Sequence, residues 1–195
     1  RHAKAMVKAG ELGEIRLVQG EYPQDWLTTA LEKTGQKQAA WRTDPKRSGA
    51  GGCVGDIGTH TYQLMCDVSG LSADEISADL TTFVKGRALD DNVHVMLRFG
   101  NGARGMIWAS QVAPGNENGL KLRIYGTKGG LEWTQADPNY LWYTPFGEPK
   151  RLITRGGAGS GPAAGRVTRV PPGHPEGYLE GFANVYTEVG RAIKA

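Results

Sequence analysis

The order of apolar and polar positions divides the chain into a short helix, a strand, a long polar stretch, a second helix, a run of strands and a closing helix. Ala3, Met6 and Val7 recur at helical spacing until Gly10 interrupts them. Ile15 to Tyr22 alternates as a strand that Pro23 stops. The polar stretch that follows, to about Ser48, is anchored by Trp26 and Trp41 and reads as an excursion over the surface. Leu64, Met65 and Val68 predict a helix over residues 56–69. Strands are predicted at Glu75 to Val84, Asn92 to Phe99 and Ala103 to Ser110. The last two are joined through Gly100-Asn101-Gly102, because Asn-Gly favours the tight turn of a hairpin. Leu120, Leu122 and Ile124 alternate with Lys121, Arg123 and Tyr125, one face buried and one wet. Gly126-Thr127-Lys128-Gly129-Gly130 turns the chain into Leu131 to Thr134, and Tyr140 to Tyr143 is a further short strand. Residues 155–173, rich in Gly, Pro and Ala and without either period, predict a mobile loop. Beyond it, Pro175 suits a first helical position and Glu176 complements the helix dipole. Tyr178, Phe182, Val185, Val189 and Ile193 then make an apolar stripe. Together these elements predict an α+β domain, an open, mainly antiparallel β-sheet with helices packed on one face.

Composition narrows the setting. The 195 residues suffice for one large domain with a real core, and 39% hydrophobic and 22% charged residues are ordinary for a globular protein. No apolar run approaches the roughly 18 residues a membrane span needs. The formal charge of +3 is slight, and the Lys and Arg residues are scattered among acids. Nucleic acid and membrane are therefore not expected partners. Cys53 and Cys66 are too few for a disulfide framework and read as reduced thiols in the cytoplasm. The chain starts without Met inside one helical pattern and stops inside another, so we expect a piece of a longer protein.

The chemistry concentrates in Gly55-Asp56-Ile57-Gly58-Thr59-His60, just after the glycine-rich Gly49-Ala50-Gly51-Gly52. On an α-helix, positions i and i+4 share a face, so Asp56 and His60 are expected to point at one small volume. Oxidising a secondary alcohol takes a hydride from carbon and a proton from oxygen. Imidazole, with an unperturbed pKa of about 6.5, suits the proton step. We expect His60 to be the acid/base and Asp56 its partner or a ligand for a substrate hydroxyl. The pair could also be half of a metal site completed by His94 or His174. Because His94 alternates within a strand as a sheet-face residue, no metal is expected. A dinucleotide fingerprint is missing, since Gly49-Ala50-Gly51 meets Val54 where a third glycine is required.

The run from Ser48 to His60 resembles the central motif of the glucose–fructose oxidoreductase / inositol dehydrogenase family (Gfo/Idh/MocA), a glycine-rich turn leading into Asp-x-x-x-His on a helix of the second domain. Gly10-Glu11-Leu12-Gly13-Glu14-Ile15, Tyr125-Gly126-Thr127-Lys128-Gly129-Gly130-Leu131 and Gly173-His174-Pro175-Glu176-Gly177-Tyr178 look similar to the same family. The resemblance implies a two-domain dehydrogenase of sugars, polyols or related compounds that uses NAD or NADP. This chain would be its C-terminal, dihydrodipicolinate-reductase-like domain over residues 1–195, carrying substrate binding, catalysis and oligomerisation. A preceding Rossmann domain would hold most of the cofactor and the family's catalytic lysine, for which this chain has no counterpart, so the fragment alone is expected to be inactive. The uncovered face of the sheet would build a homodimer or homotetramer.

Further candidates surround the pair. Tyr22, Gln24 and Trp26 lie where the first strand ends, and a Trp face with an amide and a phenol suits a sugar. Arg42 is a candidate for a cofactor phosphate or a substrate oxygen. His174 and Tyr178 are placed to close the substrate site from the far side. Asp90 and Asp91 read as no more than a turn and a strand start, and Cys53 as inert. The rival reading is a non-catalytic oligomerisation or ligand-sensing module with the same fold.

Overall fold

The computed structural model describes all 195 residues, in one sheet of eight strands with short helices against one face. The chain enters through α1 (His2–Lys8), which Gly10 ends, and continues into β1 (Ile15–Pro23). The predicted excursion is not irregular. It contains a 3-10 turn at Leu31–Thr34, α2 (Lys37–Arg42) and α3 (Pro45–Ser48), the last capped by the Asp44 carboxylate on the Lys46 N–H. A π-helical turn, Val54–Gly58, leads into α4 (Thr59–Ser69), which Gly70 closes in the left-handed conformation.

Seven strands follow: β2 (Ala73–Thr81), β3 (Asn92–Phe99), β4 (Arg104–Ser110), β5 (Lys121–Gly126), β6 (Gly129–Thr134), β7 (Tyr140–Pro145) and β8 (Arg151–Thr154). Their spatial order is β2-β3-β4-β1-β5-β6-β7-β8. All neighbours are antiparallel except β1 and β4, which run parallel with Leu17 opposite Arg104 and Pro23 opposite Ser110.

The period-two pattern decides which face is dry. Val18 and Tyr22 of β1, Val93, Val95 and Leu97 of β3, and Leu122 and Ile124 of β5 form the core with Met65 and Val68 of α4. Gly20 lets α4 lie this close: a Cβ there would stand 2.4 Å from Thr61 Cγ2 and 2.6 Å from Met65 Sδ. The opposite face carries Leu17, Met96, Trp108 and Trp142 among ion pairs such as Arg123–Glu21. No helix covers it.

The C-terminal part departs from the expected pattern. Residues 155–173 are not a structureless loop. They include α5 (Pro162–Gly165) and are pinned by Arg155, whose guanidinium meets the Val170 carbonyl and the Glu176 carboxylate, at 3.1 and 2.9 Å. Glu176 is buried between Arg155 and Arg169 rather than exposed in a first turn. The last helix, α6 (Tyr178–Lys194), begins three residues later than Pro175 predicted. Its start is set by Glu180, which accepts the Gly177 N–H at 2.9 Å. Its apolar stripe exists but faces away from the core: Tyr178 is 77% exposed and Ile193 80%. Gly181 and Asn184 face inward instead, over a cavity of about 400 Å³ above Leu141 and Ile153. No helix is long and apolar enough to cross a membrane.

Candidate functional site

The site begins with a glycine that no other residue could replace. A Cβ on Gly52 would stand 2.0 Å from the Asp90 carbonyl oxygen, so the chain crosses the start of β3 in backbone contact. Asp90 then fixes the turn. Its carboxylate accepts the Gly52 N–H at 2.6 Å, the Val54 N–H at 2.8 Å and the Cys53 thiol at 3.1 Å. The expectation that Asp90 is a mere turn residue is thus corrected: it is the buried anchor of the turn that leads to Asp56. Its neighbour Asp91 is equally engaged, accepting the Phe83 and Val84 N–H groups and an Arg87 guanidinium. Cys53 is fully buried, and burial followed by the Asp90 carboxylate pushes its thiol far up, so it stays protonated.

Asp56 lies within the π-helical turn and His60 just beyond it, in α4. The Asp56 carboxylate is taken by Arg42 Nε at 3.1 Å and Gln111 Nε2 at 2.8 Å, not by His60. His60, in the first turn of α4, is exposed and makes no hydrogen bond within the chain. Its ring centre lies 6.4 Å from that of Tyr22.

Tyr22 links the two. It is buried at the end of β1, and burial raises its phenol above the ordinary 10. The amides of Gln135 and Asn118 oppose that rise, while the charges of Asp56 and Tyr178 add to it. At neutral pH the phenol is therefore a hydrogen-bond donor rather than a base.

Gln24 organises the flank: its Oε1 accepts from Trp26 Nε1 at 3.0 Å and its Nε2 donates to Asn118 at 2.8 Å. The Arg42 guanidinium lies over Trp41 at 4.3 Å and within 5.8 Å of the Trp26 ring centre. Tyr22, Gln24, Trp26, Arg42, Asp56 and His60 are thus gathered at one end of β1 and α4. Tyr178, at the start of α6, is exposed and packed edge-on against Phe182. His174 is not drawn into the group. It is exposed, and its carbonyl accepts from Arg155. His94 stands on the sheet face away from α4, stacked parallel to Trp108.

Gln111, Asn118 and Gln135 escaped sequence reasoning because neutral amides just beyond strand ends carry no motif. Only the fold shows what they face. The donor set suits an alcohol better than a nucleotide phosphate. The Gly52 and Val54 N–H groups both donate to the Asp90 carboxylate and are not free to cradle a phosphate.

Residues 1–132 match the family model described as GFO/IDH/MocA C-terminal domain. The uncharacterized oxidoreductase YfiI of Bacillus subtilis (strain 168) is 34% identical over 194 residues, covering 98% of this chain and 49% of its own length. Among solved structures, an oxidoreductase from Sinorhizobium meliloti is 59% identical with a TM-score of 0.85, covering 100% of this chain and 51% of its own. An inositol dehydrogenase homolog from Azotobacter vinelandii, complexed with NADH and myo-inositol, is 33% identical with a TM-score of 0.85, covering 95% and 47%. The chain spans about half the length of these relatives.

Proposed function

This chain belongs to the GFO/IDH/MocA family, as its C-terminal domain, and we propose that it is the substrate-binding and proton-handling part of an NAD(P)-dependent oxidoreductase. The substrate class is a sugar, polyol or related compound bearing a secondary alcohol, as in the Azotobacter relative that holds myo-inositol. The reading is carried by one observation: a carboxylate held on one side, an exposed imidazole and a protonated phenol meet at the end of β1.

In this reading Asp56 accepts a hydrogen bond from a substrate hydroxyl and Tyr22 donates one. His60, with no partner of its own, takes the proton from the reacting oxygen or returns it in the reverse direction. Trp26 offers an apolar face to ring C–H groups, with Gln24 fixing its tilt. The nicotinamide, when bound, supplies the carbon that accepts or gives hydride. The phosphate contacts of that cofactor we assign to a preceding Rossmann domain, since the amides here are occupied. The open sheet face, with Leu17, Met96, Trp108 and Trp142, is assigned to a homodimer or homotetramer. Cys53 and Cys66 are both free, as suits a reducing cytoplasm.

The test is His60→Ala in the full-length protein, assayed for nucleotide reduction with myo-inositol and a panel of other polyols and sugars. Loss of turnover by about a hundredfold or more is expected for a general base. Retention near the parental rate would remove the catalytic reading and leave the ligand-sensing one.

A further inference from the structure

We infer that Gln111 and Arg42 are positioning residues that turn the Asp56 carboxylate so that Oδ1 alone is left to accept a substrate hydroxyl. The inference rests on the reading of Asp56 given above. Both donors go to the same oxygen, Arg42 Nε and Gln111 Nε2 each bonding Oδ2. A fork-on-fork pairing of guanidinium and carboxylate would consume both oxygens, and the single Nε contact spares one. Oδ1 accepts nothing from the chain and is not sealed from solvent.

The two donors are themselves held. Gln111 is 2% exposed, its N–H donates to the Asp91 carbonyl at 2.9 Å, and its carbonyl accepts the Leu27 N–H at 3.0 Å. Its amide has one workable sense, because the reverse would set its oxygen against the carboxylate. Arg42 is fixed by Trp41 and Trp26 and donates from Nη1 to Gln38. A guanidinium packed and bonded in this way orients the acid, a role separate from the cofactor-phosphate or substrate-oxygen contact expected for Arg42 from sequence. Two rigid donors on one atom fix the carboxylate plane before any substrate arrives, the preorganisation that a productive hydroxyl geometry requires.

The test uses the full-length protein carrying Gln111→Leu, alone and combined with Asp56→Asn, with Gln111→Met as the substitute if the Leu variant does not fold. In a crystal structure of the single variant, Asp56 should leave its present rotamer or spread over several. An unchanged carboxylate overturns the inference. In the polyol assay the single variant should lose about tenfold in kcat/KM, the effect of one hydrogen bond to a charged group. The loss should fall to about twofold or less when Asp56→Asn is already present, because a residue acting through Asp56 has nothing left to position. Equal losses in both backgrounds overturn it. Asp56→Asn as active as the parent, or a parent inactive on the whole panel, would instead defeat the functional reading, and the crystallographic readout still decides the positioning.

Discussion

Replacing Asp90 with alanine should cost more stability than any surface carboxylate, because this side chain closes the turn that carries Asp56. Three donors converge on it: the Gly52 N–H at 2.6 Å, the Val54 N–H at 2.8 Å and the Cys53 thiol at 3.1 Å. The backbone bond from the Cys53 N–H to the Asp90 carbonyl, at 2.9 Å, survives the change and is left out of the sum. Truncation strands two backbone donors, the first buried and the second half-buried. At about 1–3 kcal/mol for each unsatisfied group, water reaching Val54 brings the expected cost to about 3 kcal/mol. With a urea dependence of about 2 kcal/mol per molar, the unfolding midpoint should fall by about 1.5 M at unchanged slope. Circular dichroism in urea measures this directly. Asp90→Asn keeps one acceptor and should recover part of the loss. The control is Asp79→Ala, exposed on β2, which should stay within about 0.5 kcal/mol of the parent. A midpoint shift for Asp90→Ala no larger than that of the control would refute the anchoring role.

Gly20→Ala should destabilise by about 1–3 kcal/mol, since its Cβ would overlap Thr61 and Met65 and force α4 outward, and thermal unfolding reports it. An unchanged melting temperature would mean that α4 does not sit as described. The Arg87 guanidinium, 1% exposed, ties the excursion after β1 to the β2–β3 connection through Glu32, Asp91 and the carbonyls of Leu27 and Thr29. Burial alone would raise the Glu32 carboxyl, but the Arg87 hydrogen bond and charge outweigh it and hold the group below its ordinary 4.5. A depressed carboxylate contributes stability above its unfolded value and loses it as pH falls through the folded one. Glu32→Gln should therefore flatten the fall in stability between about pH 5 and 3, and an unaltered acid profile would count against the tie.

The central strands were legible because each buries one face, whereas β2 has no buried residue and its predicted bounds, Glu75 to Val84, lie two to three residues downstream of the observed Ala73–Thr81. From Val93 to Phe99 buried and exposed residues alternate, and the ends of the strand, Asn92 and Phe99, coincide with the predicted ones. β8 was missed because four residues, Arg151 to Thr154, are too short to show a period. The stripe on α6 was read correctly as a pattern and wrongly as a contact, since periodicity reports that a face is apolar and not what lies against it. The Asp56–His60 pair was legible as residue types at a spacing, whereas the donors that engage the carboxylate, Arg42 and Gln111, stand outside the motif and leave no mark in it. Glu176 shows the same limit: a residue suited to a helix start serves instead as the buried partner of Arg155 and Arg169.

The one parallel pairing in the sheet has a kinetic consequence. Of the eight strands of this sheet β1 is made before the others, yet its two neighbours, β4 and β5, lie some eighty or more residues downstream. On a ribosome it must wait, apolar side exposed, while the meander β2-β3-β4 closes on its own local hairpins. Only when β5 emerges can both halves dock on it, so the slow, entropy-limited step of assembly is insertion of the oldest strand between two younger ones.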